Sequence, residues 1–197
     1  YAAPLTGTSL IFPGPNLDGA SLFNLMDHEN VNSAWGVPTV WLGLLEEIRN
    51  QGKAPSQFQN VVIGGSAAPK SMIEEFEGLG ITVCHAWGMT EMSPVGTQGF
   101  LPQPMTKLLS SDEQILKKCN QGRRVFGVDL KIVDEKGGSL PHDGEASGEL
   151  YVRGNAIISG YYKNEQSTEE SFDKEGWFGT GDIASITSDG FLNIQDR

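Results

Sequence analysis

An α/β region followed by a β region is the fold class this sequence predicts. Three observations point to it. Two continuous apolar runs, 60–65 (NVVIGG) and 81–87 (ITVCHAW), flank a stretch of helical period. After Gly122 the period becomes alternation broken by Gly turns. Between these regions, residues 98–121 keep neither pattern for long. Continuous apolar runs suit strands buried on both faces, whereas alternation suits strands with one wet face.

Taken in order, residues 38–50 (PTVWLGLLEEIRN) repeat apolar residues at helical spacing. Pro38 suits a first turn, and Gly52 lies just past the end. Residues 60–65 then read as a buried strand. Pro69 opens a second helical stretch, PKSMIEEFEGL, and 81–87 is a second buried strand. Strand, helix and strand in that order predict a parallel pair with a crossover. Residues 98–121 read as an excursion holding one helical candidate, SDEQILKKC. VDLKIVDEKGG and GELYVRG alternate, and GDIASITSDGFLNIQD reads as two strands joined at Ser188-Asp189-Gly190. Between them NEQSTEES (164–171) is a short polar helix. The expected organisation is therefore an α/β subdomain over 1–97, a connection over 98–121, and a small β-barrel-like subdomain over 122–197.

Composition limits the function. Hydrophobic residues make up 38% of the 197 and charged residues 20%, as in an ordinary globular chain. Fourteen basic against twenty-five acidic residues give a net charge of -11, which argues against nucleic-acid binding through a basic surface. Cys84 and Cys119 lack the spacing of a disulfide framework or a zinc site, so a reducing, cytoplasmic setting is expected. No apolar run reaches spanning length. The chain opens on Tyr1 and stops inside a strand-like pattern, NIQDR, which reads as an internal fragment.

The chemistry sits in two loops. In open parallel sheets, ligands bind beyond the carboxyl ends of the strands. GGSAAP follows the first buried strand and GMTEMSP the second, so adjacent strands would set them side by side. Glycines allow close backbone approach and free N–H donors. Thr90 supplies a hydroxyl. Glu91 supplies a carboxylate, which repels phosphate unless a hard cation such as Mg²⁺ bridges them. Trp87 offers a flat apolar face. In GWFGTGD (176–182), Asp182 follows a glycine and can accept two hydroxyls, as a ribose diol would offer.

Each residue taken singly has a structural reading. Trp87 and His85 would be core side chains, Glu91 a solvated charge, GGSAAP a turn, Asp182 a turn aspartate and Arg197 half of a surface ion pair. One hydrolytic arrangement is also conceivable. GGSAA follows a strand as a nucleophile elbow does, with Ser66 as nucleophile, His85 as base and Asp182 as its orienter. The order Ser, His, Asp departs from the α/β-hydrolase order, and the last glycine of the elbow is Ala68.

Read together, GGSAAP, WGMTE, GELYVRG, SGYYKN, GWFGTGD and DGFLNIQDR resemble the adenylate-forming superfamily. It includes acyl-CoA synthetases, luciferase-like enzymes and peptide-synthetase adenylation domains. The likeness covers nearly the whole chain and is closest to medium- or long-chain fatty acyl-CoA synthetases. It implies the end of one sheet subdomain plus the barrel-like subdomain of a large N-terminal domain. It implies an ATP-dependent ligase forming an acyl-adenylate and then a thioester, with ATP/AMP, Mg²⁺ and coenzyme A as cofactors and a fatty acid as substrate. By position, Trp87 would stack on adenine, and Gly65, Ser66 and Ala67 would line its pocket. Thr90 would hold the α-phosphate, Glu91 the Mg²⁺, and Asp182 and Arg197 the ribose. Gly88 adjoins the phosphate and, with Met89, would border the acyl pocket. Trp35, with Val37 and Trp41, would line an acyl tunnel or pack in the core.

Two parts of the family pattern do not occur in this stretch. One is the upstream phosphate loop, which LTGTSL (5–10) does not replace because no lysine follows. The other is the domain after the hinge near Arg197, which carries a second lysine. The fragment is therefore expected to be inert alone. An aryl-acid ligase of the same superfamily, a non-catalytic nucleotide- or acyl-binding module, and peripheral contact with a membrane remain as alternatives.

Overall fold

Residues 2–196 are described by the computed structural model. Two helices, α1 (Ala2–Thr6) and α2 (Gly19–His28), precede a short strand, β1 (Ser33–Gly36). Asp18 caps α2, its Oδ1 accepting the Ser21 N–H at 2.9 Å. Helix α3 (Pro38–Gln51) starts on its proline and stops at Gly52, whose φ of 67° only glycine adopts cheaply. Trp41, Leu44, Leu45 and Ile48 form one buried face of α3 and share a core with Leu22, Phe23 and Met26 of α2.

Strand β2 (Asn60–Ile63), helix α4 (Lys70–Gly78) and strand β3 (Thr82–Gly88) form the expected crossover. β1, β2 and β3 are parallel, with Val61 opposite Val83 and Ile63 opposite His85. Val61, Ile63, Ile73, Phe76 and Val83 are fully buried there. Each such side chain contributes roughly 1.5–3 kcal/mol through burial, so this core dominates the first sheet. β4 (Val95–Gln98) then turns back antiparallel on β3.

Helices α5 (Gln103–Leu108) and α6 (Ser111–Cys119) follow, and β5 (Arg123–Arg124) pairs antiparallel with β4. A capping box between Ser110 and Glu113 starts α6. α6 lies against α4, joined by buried Lys118, whose Nζ is 2.5 Å from Glu77 Oε1. The same Glu77 oxygen accepts the Val83 N–H at 2.6 Å. A charge removed from water this far needs such partners.

The second sheet is antiparallel, in the order β6 (Val128–Val133), β7 (Ser147–Gly154), β8 (Phe178–Ile186) and β9 (Leu192–Asp196). Helix α7 (Glu165–Ser171) crosses between β7 and β8. Among the described residues β6 and β9 do not pair, so the sheet is open where a barrel-like unit was expected. Four strands are too few to close around a filled interior.

The two sheets meet through backbone as well as side chains. The Gln121 N–H donates to Leu192 O at 2.9 Å, and the Leu192 N–H to Gly122 O at 2.8 Å. Lys117 and Arg123 both lie over the Phe191 ring, 4.7 and 4.8 Å from its centroid, and both face Asp189. Sequence periodicity gave no sign of α2, β1, β4 or β5: each strand is four residues or fewer, too short to show a period. Among the described residues, no helix is long and apolar enough to cross a membrane.

Candidate functional site

β2 and β3 end side by side, so the loops after them are neighbours. The first loop, 64–69, leaves Gly65, Ser66 and Ala67 exposed. Gly65 has φ 81°, and a Cβ there would lie 3.0 Å from Val37 Cγ1, so this loop runs beside the turn between β1 and α3. Its far end is anchored from below. The buried Ala68 N–H donates to His85 Nε2 at 3.2 Å, and His85 Nδ1 lies 3.1 Å from Cys119 O. This network assigns the ring proton to Nδ1. Burial pushes the imidazole pKa below its ordinary 6.5, with the backbone bonds opposing. His85 is therefore a neutral strut joining β3, the first loop and the end of α6.

This geometry removes the hydrolase arrangement. Both ring nitrogens of His85 face backbone groups, so neither remains to take a proton from Ser66. Asp182 lies against Trp87 and orients no histidine.

The second loop, 88–94, is tight. A Cβ on Gly88 would sit 1.9 Å from Pro94 O, so the backbone itself demands glycine there. Thr90–Met92 form a single 3-10 turn. Met92 is fully buried, Thr90 is exposed and Glu91 is half-buried. Met89 packs on the core of the second sheet, beside Val128, Val152 and Phe178. The turn is held from the segment after β7. The Tyr161 hydroxyl donates to Glu91 Oε1 at 3.1 Å, and the Ile158 N–H donates to Glu91 O at 2.9 Å. Tyr161 is itself fixed, its N–H donating to Thr168 Oγ1 on α7 at 2.9 Å. Burial and the Glu91 carboxylate raise the phenol pKa above its usual 10.

Trp87 closes the gap between the sheets. It belongs to β3 yet packs against both core clusters of the second sheet. Its indole N–H donates to Asp182 Oδ2 at 2.9 Å. Asp182 is only 2% exposed on β8. Its backbone N–H donates to Thr180 Oγ1 at 3.1 Å, and that hydroxyl donates to Leu150 O at 2.9 Å. Trp87 and Asp182 thus meet directly, Thr90 and Glu91 follow on the loop after Trp87, and the exposed glycine loop leaves the adjacent strand. Such a set suits a purine, a phosphate and a sugar diol.

Trp35 is 69% exposed on strand β1, while Trp41 is buried in the first core. Arg197 lies outside the described residues. Among the described residues no three His, Cys, Asp or Glu side chains gather as a metal cage. A surface groove of about 680 Å³ between Arg124, Phe126 and Arg153 shares no lining residue with the two loops. Sequence reasoning assigned no role to Tyr161 or Ile158. SGYYKN stands out as a motif, but nothing local in it reveals contact with a residue 70 positions earlier.

Comparison with known proteins bears on this site. The AMP-binding enzyme family matches residues 1–162. A medium-chain-fatty-acid–CoA ligase from Ectopseudomonas oleovorans is 46% identical over 198 aligned residues, covering 100% of this chain and 36% of the relative. A 3-methylmercaptopropionyl-CoA ligase from Ruegeria lacuscaerulensis is 43% identical, with 100% and 36% covered. Among solved structures, the N-terminal domain of FACL13 from Mycobacterium tuberculosis superposes with a TM-score of 0.81 at 25% identity, covering 98% of this chain and 46% of that one. The chain thus spans about a third of the length of the curated relatives it matches.

Proposed function

Since the chain belongs to the AMP-binding enzyme family, we propose that it carries the nucleotide-binding core of a longer, ATP-dependent carboxylic acid–CoA ligase acting on aliphatic acids. The observation that carries this reading is the Trp87–Asp182 contact between the two sheets, on the strand that leads into Thr90 and Glu91. The relatives named for a medium-chain fatty acid and for 3-methylmercaptopropionate support an open-chain acid over an aryl one.

The chemistry follows from what these groups do best. Trp87, only partly buried at the end of β3, would offer a ring face to adenine, with the exposed Gly65–Ala67 loop leaving the neighbouring strand. Asp182 accepts the ribose hydroxyls. Thr90 donates its exposed hydroxyl to the α-phosphate. Glu91 is the residue that would hold Mg²⁺. A single half-buried carboxylate fits that ion, which usually takes one or two protein carboxylates and completes its shell with water and phosphate oxygens. When bound, Mg²⁺ would neutralise phosphate charge.

The acid's carboxylate oxygen then attacks the α-phosphorus. The bond to the β-phosphate breaks and pyrophosphate leaves. Coenzyme A's sulfur next attacks the acyl carbon and AMP leaves. The chain's share of the first step is positioning and charge stabilisation, worth more than a strong base in such a displacement. This stretch spans about a third of the length of its curated relatives and is proposed to be inert alone. Cytoplasmic location and contact with membrane-borne fatty acids belong to the same reading.

Exchange of labelled pyrophosphate into ATP by the full-length enzyme tests it, across straight-chain acids of graded length and aryl acids, with and without Mg²⁺. Exchange peaking with an aliphatic acid is expected. A peak with aryl acids would keep the reaction and overturn the substrate. No exchange with any acid, in a protein that still binds ATP, would favour a non-catalytic binding module.

A further inference from the structure

The Trp87 indole N–H donates to Asp182 across the two sheets. We infer that Trp87 is a positioning residue for the sugar-binding carboxylate: its indole N–H sets Asp182, so that base stacking and ribose recognition act as one unit. This inference rests on the reading above that Asp182 receives the ribose hydroxyls.

Both partners are held from several sides. The Trp87 backbone lies in β3, opposite Thr97 of β4. Its ring lies over Gly96, where an added Cβ would be 2.7 Å from Cζ3. Part of the ring also meets the two cores of the second sheet, and the side chain stays only partly buried. Asp182 is fixed through its backbone to Thr180 and through it to β7. The two side chains, 95 residues apart, then meet at 2.9 Å. A nearly buried carboxylate is stabilised as an anion by such a donor. It also loses rotational freedom. A carboxylate accepts about four hydrogen bonds, so a donor on one oxygen is compatible with further donors on it.

The consequence is specific. A phenylalanine at 87 keeps a stacking face and loses the donor. Stacking is blind to the sugar, whereas a hydroxyl bound by a fixed carboxylate is not. Loss of the N–H should therefore reduce discrimination between ATP and its deoxy analogues. A site built to bind a hydroxyl rejects the analogue that lacks it.

The test uses the full-length enzyme and compares kcat/KM in pyrophosphate exchange for ATP, 2′-deoxy-ATP and 3′-deoxy-ATP, with nucleotide Kd measured by calorimetry. Wild type is expected to prefer ATP by at least about tenfold. In Trp87→Phe the preference should fall about fivefold, the worth of one ordinary net hydrogen bond. A second variant guards against misfolding: Trp87 replaced by benzothienylalanine, which keeps the bicycle and substitutes sulfur for the N–H. It should lose the same share of discrimination while keeping its hold on the deoxynucleotides. Equal weakening towards all three nucleotides, with the ratio unchanged, would leave Trp87 a stacking plate alone and overturn the inference. No preference for ATP in wild type, together with an Asp182→Asn variant that binds ATP normally, would instead overturn the ribose reading itself.

Discussion

The two strand-end loops are neighbours in space but are held in opposite ways. The 64–69 loop is anchored within its own layer, by a buried histidine from the adjacent strand and a carbonyl at the end of α6. The 88–94 loop is anchored from the other sheet, through Tyr161 and Ile158 on Glu91 and Asp182 on the adjoining Trp87. The first loop therefore needs only the α/β layer to take its shape. The second needs both sheets docked. In the proposed chemistry the first meets the base, and the second meets the phosphates, where placement controls rate.

That contrast can be broken from either side. Glu91→Gln should have the largest effect: acid-dependent exchange falls about a thousandfold, roughly 4 kcal/mol in the barrier, with folding retained in thermal melts. An activity close to wild type would remove Glu91 from the reaction.

His85→Ala comes next, and acts on stability. It strands the Ala68 N–H and Cys119 carbonyl and should cost about 3 kcal/mol in unfolding. The pH dependence has a definite sign. The folded pKa lies below the unfolded 6.5. Above 6.5 both states are neutral and the group contributes no slope. Below it the unfolded chain takes up the proton first, so stability declines as pH falls from about 7 towards 5. Denaturation midpoints across that range should lose this component in His85→Gln. An unchanged slope would mean that the ring is not the buried neutral strut described.

Tyr161→Phe sharpens the comparison for the second loop. Removing one hydrogen bond from a half-buried carboxylate should raise the Mg²⁺ concentration for half-maximal exchange about fivefold, near 1 kcal/mol. The rate at saturating Mg²⁺ should hold. A direct Mn²⁺ titration followed by electron paramagnetic resonance should shift by a similar factor. No shift in either would make the contact incidental. Ser66→Ala should do least, leaving exchange within about twofold, since its hydroxyl faces no base. A large loss there would return catalysis to the first loop.

Much of this was legible in the sequence. The buried runs gave β2 and β3, Pro38 and Gly52 bounded α3, and Ser188-Asp189-Gly190 marked the β8–β9 turn. The first loop was readable because its elements are local. The second was half readable: Thr90 and Glu91 stood out by type and position, but their supports did not. Tyr161 lies 70 residues from Glu91 and Asp182 lies 95 from Trp87, separations at which no period operates. The barrel-like expectation came from counting Gly turns, which report strands but not whether their edges close.

The 95-residue gap between Trp87 and Asp182 also sets a schedule. A ribosome adding about 5–20 residues per second delivers the aspartate some 5–20 seconds after the tryptophan. For that interval β3 can pair with β2, and the first core can close. The indole meanwhile has no carboxylate to meet, and the Met89 and Trp87 side chains have no second core to cover them. The proposed nucleotide site is thus finished late in the synthesis of this segment, and its half-built face is the surface that a nascent chain must keep from sticking to others.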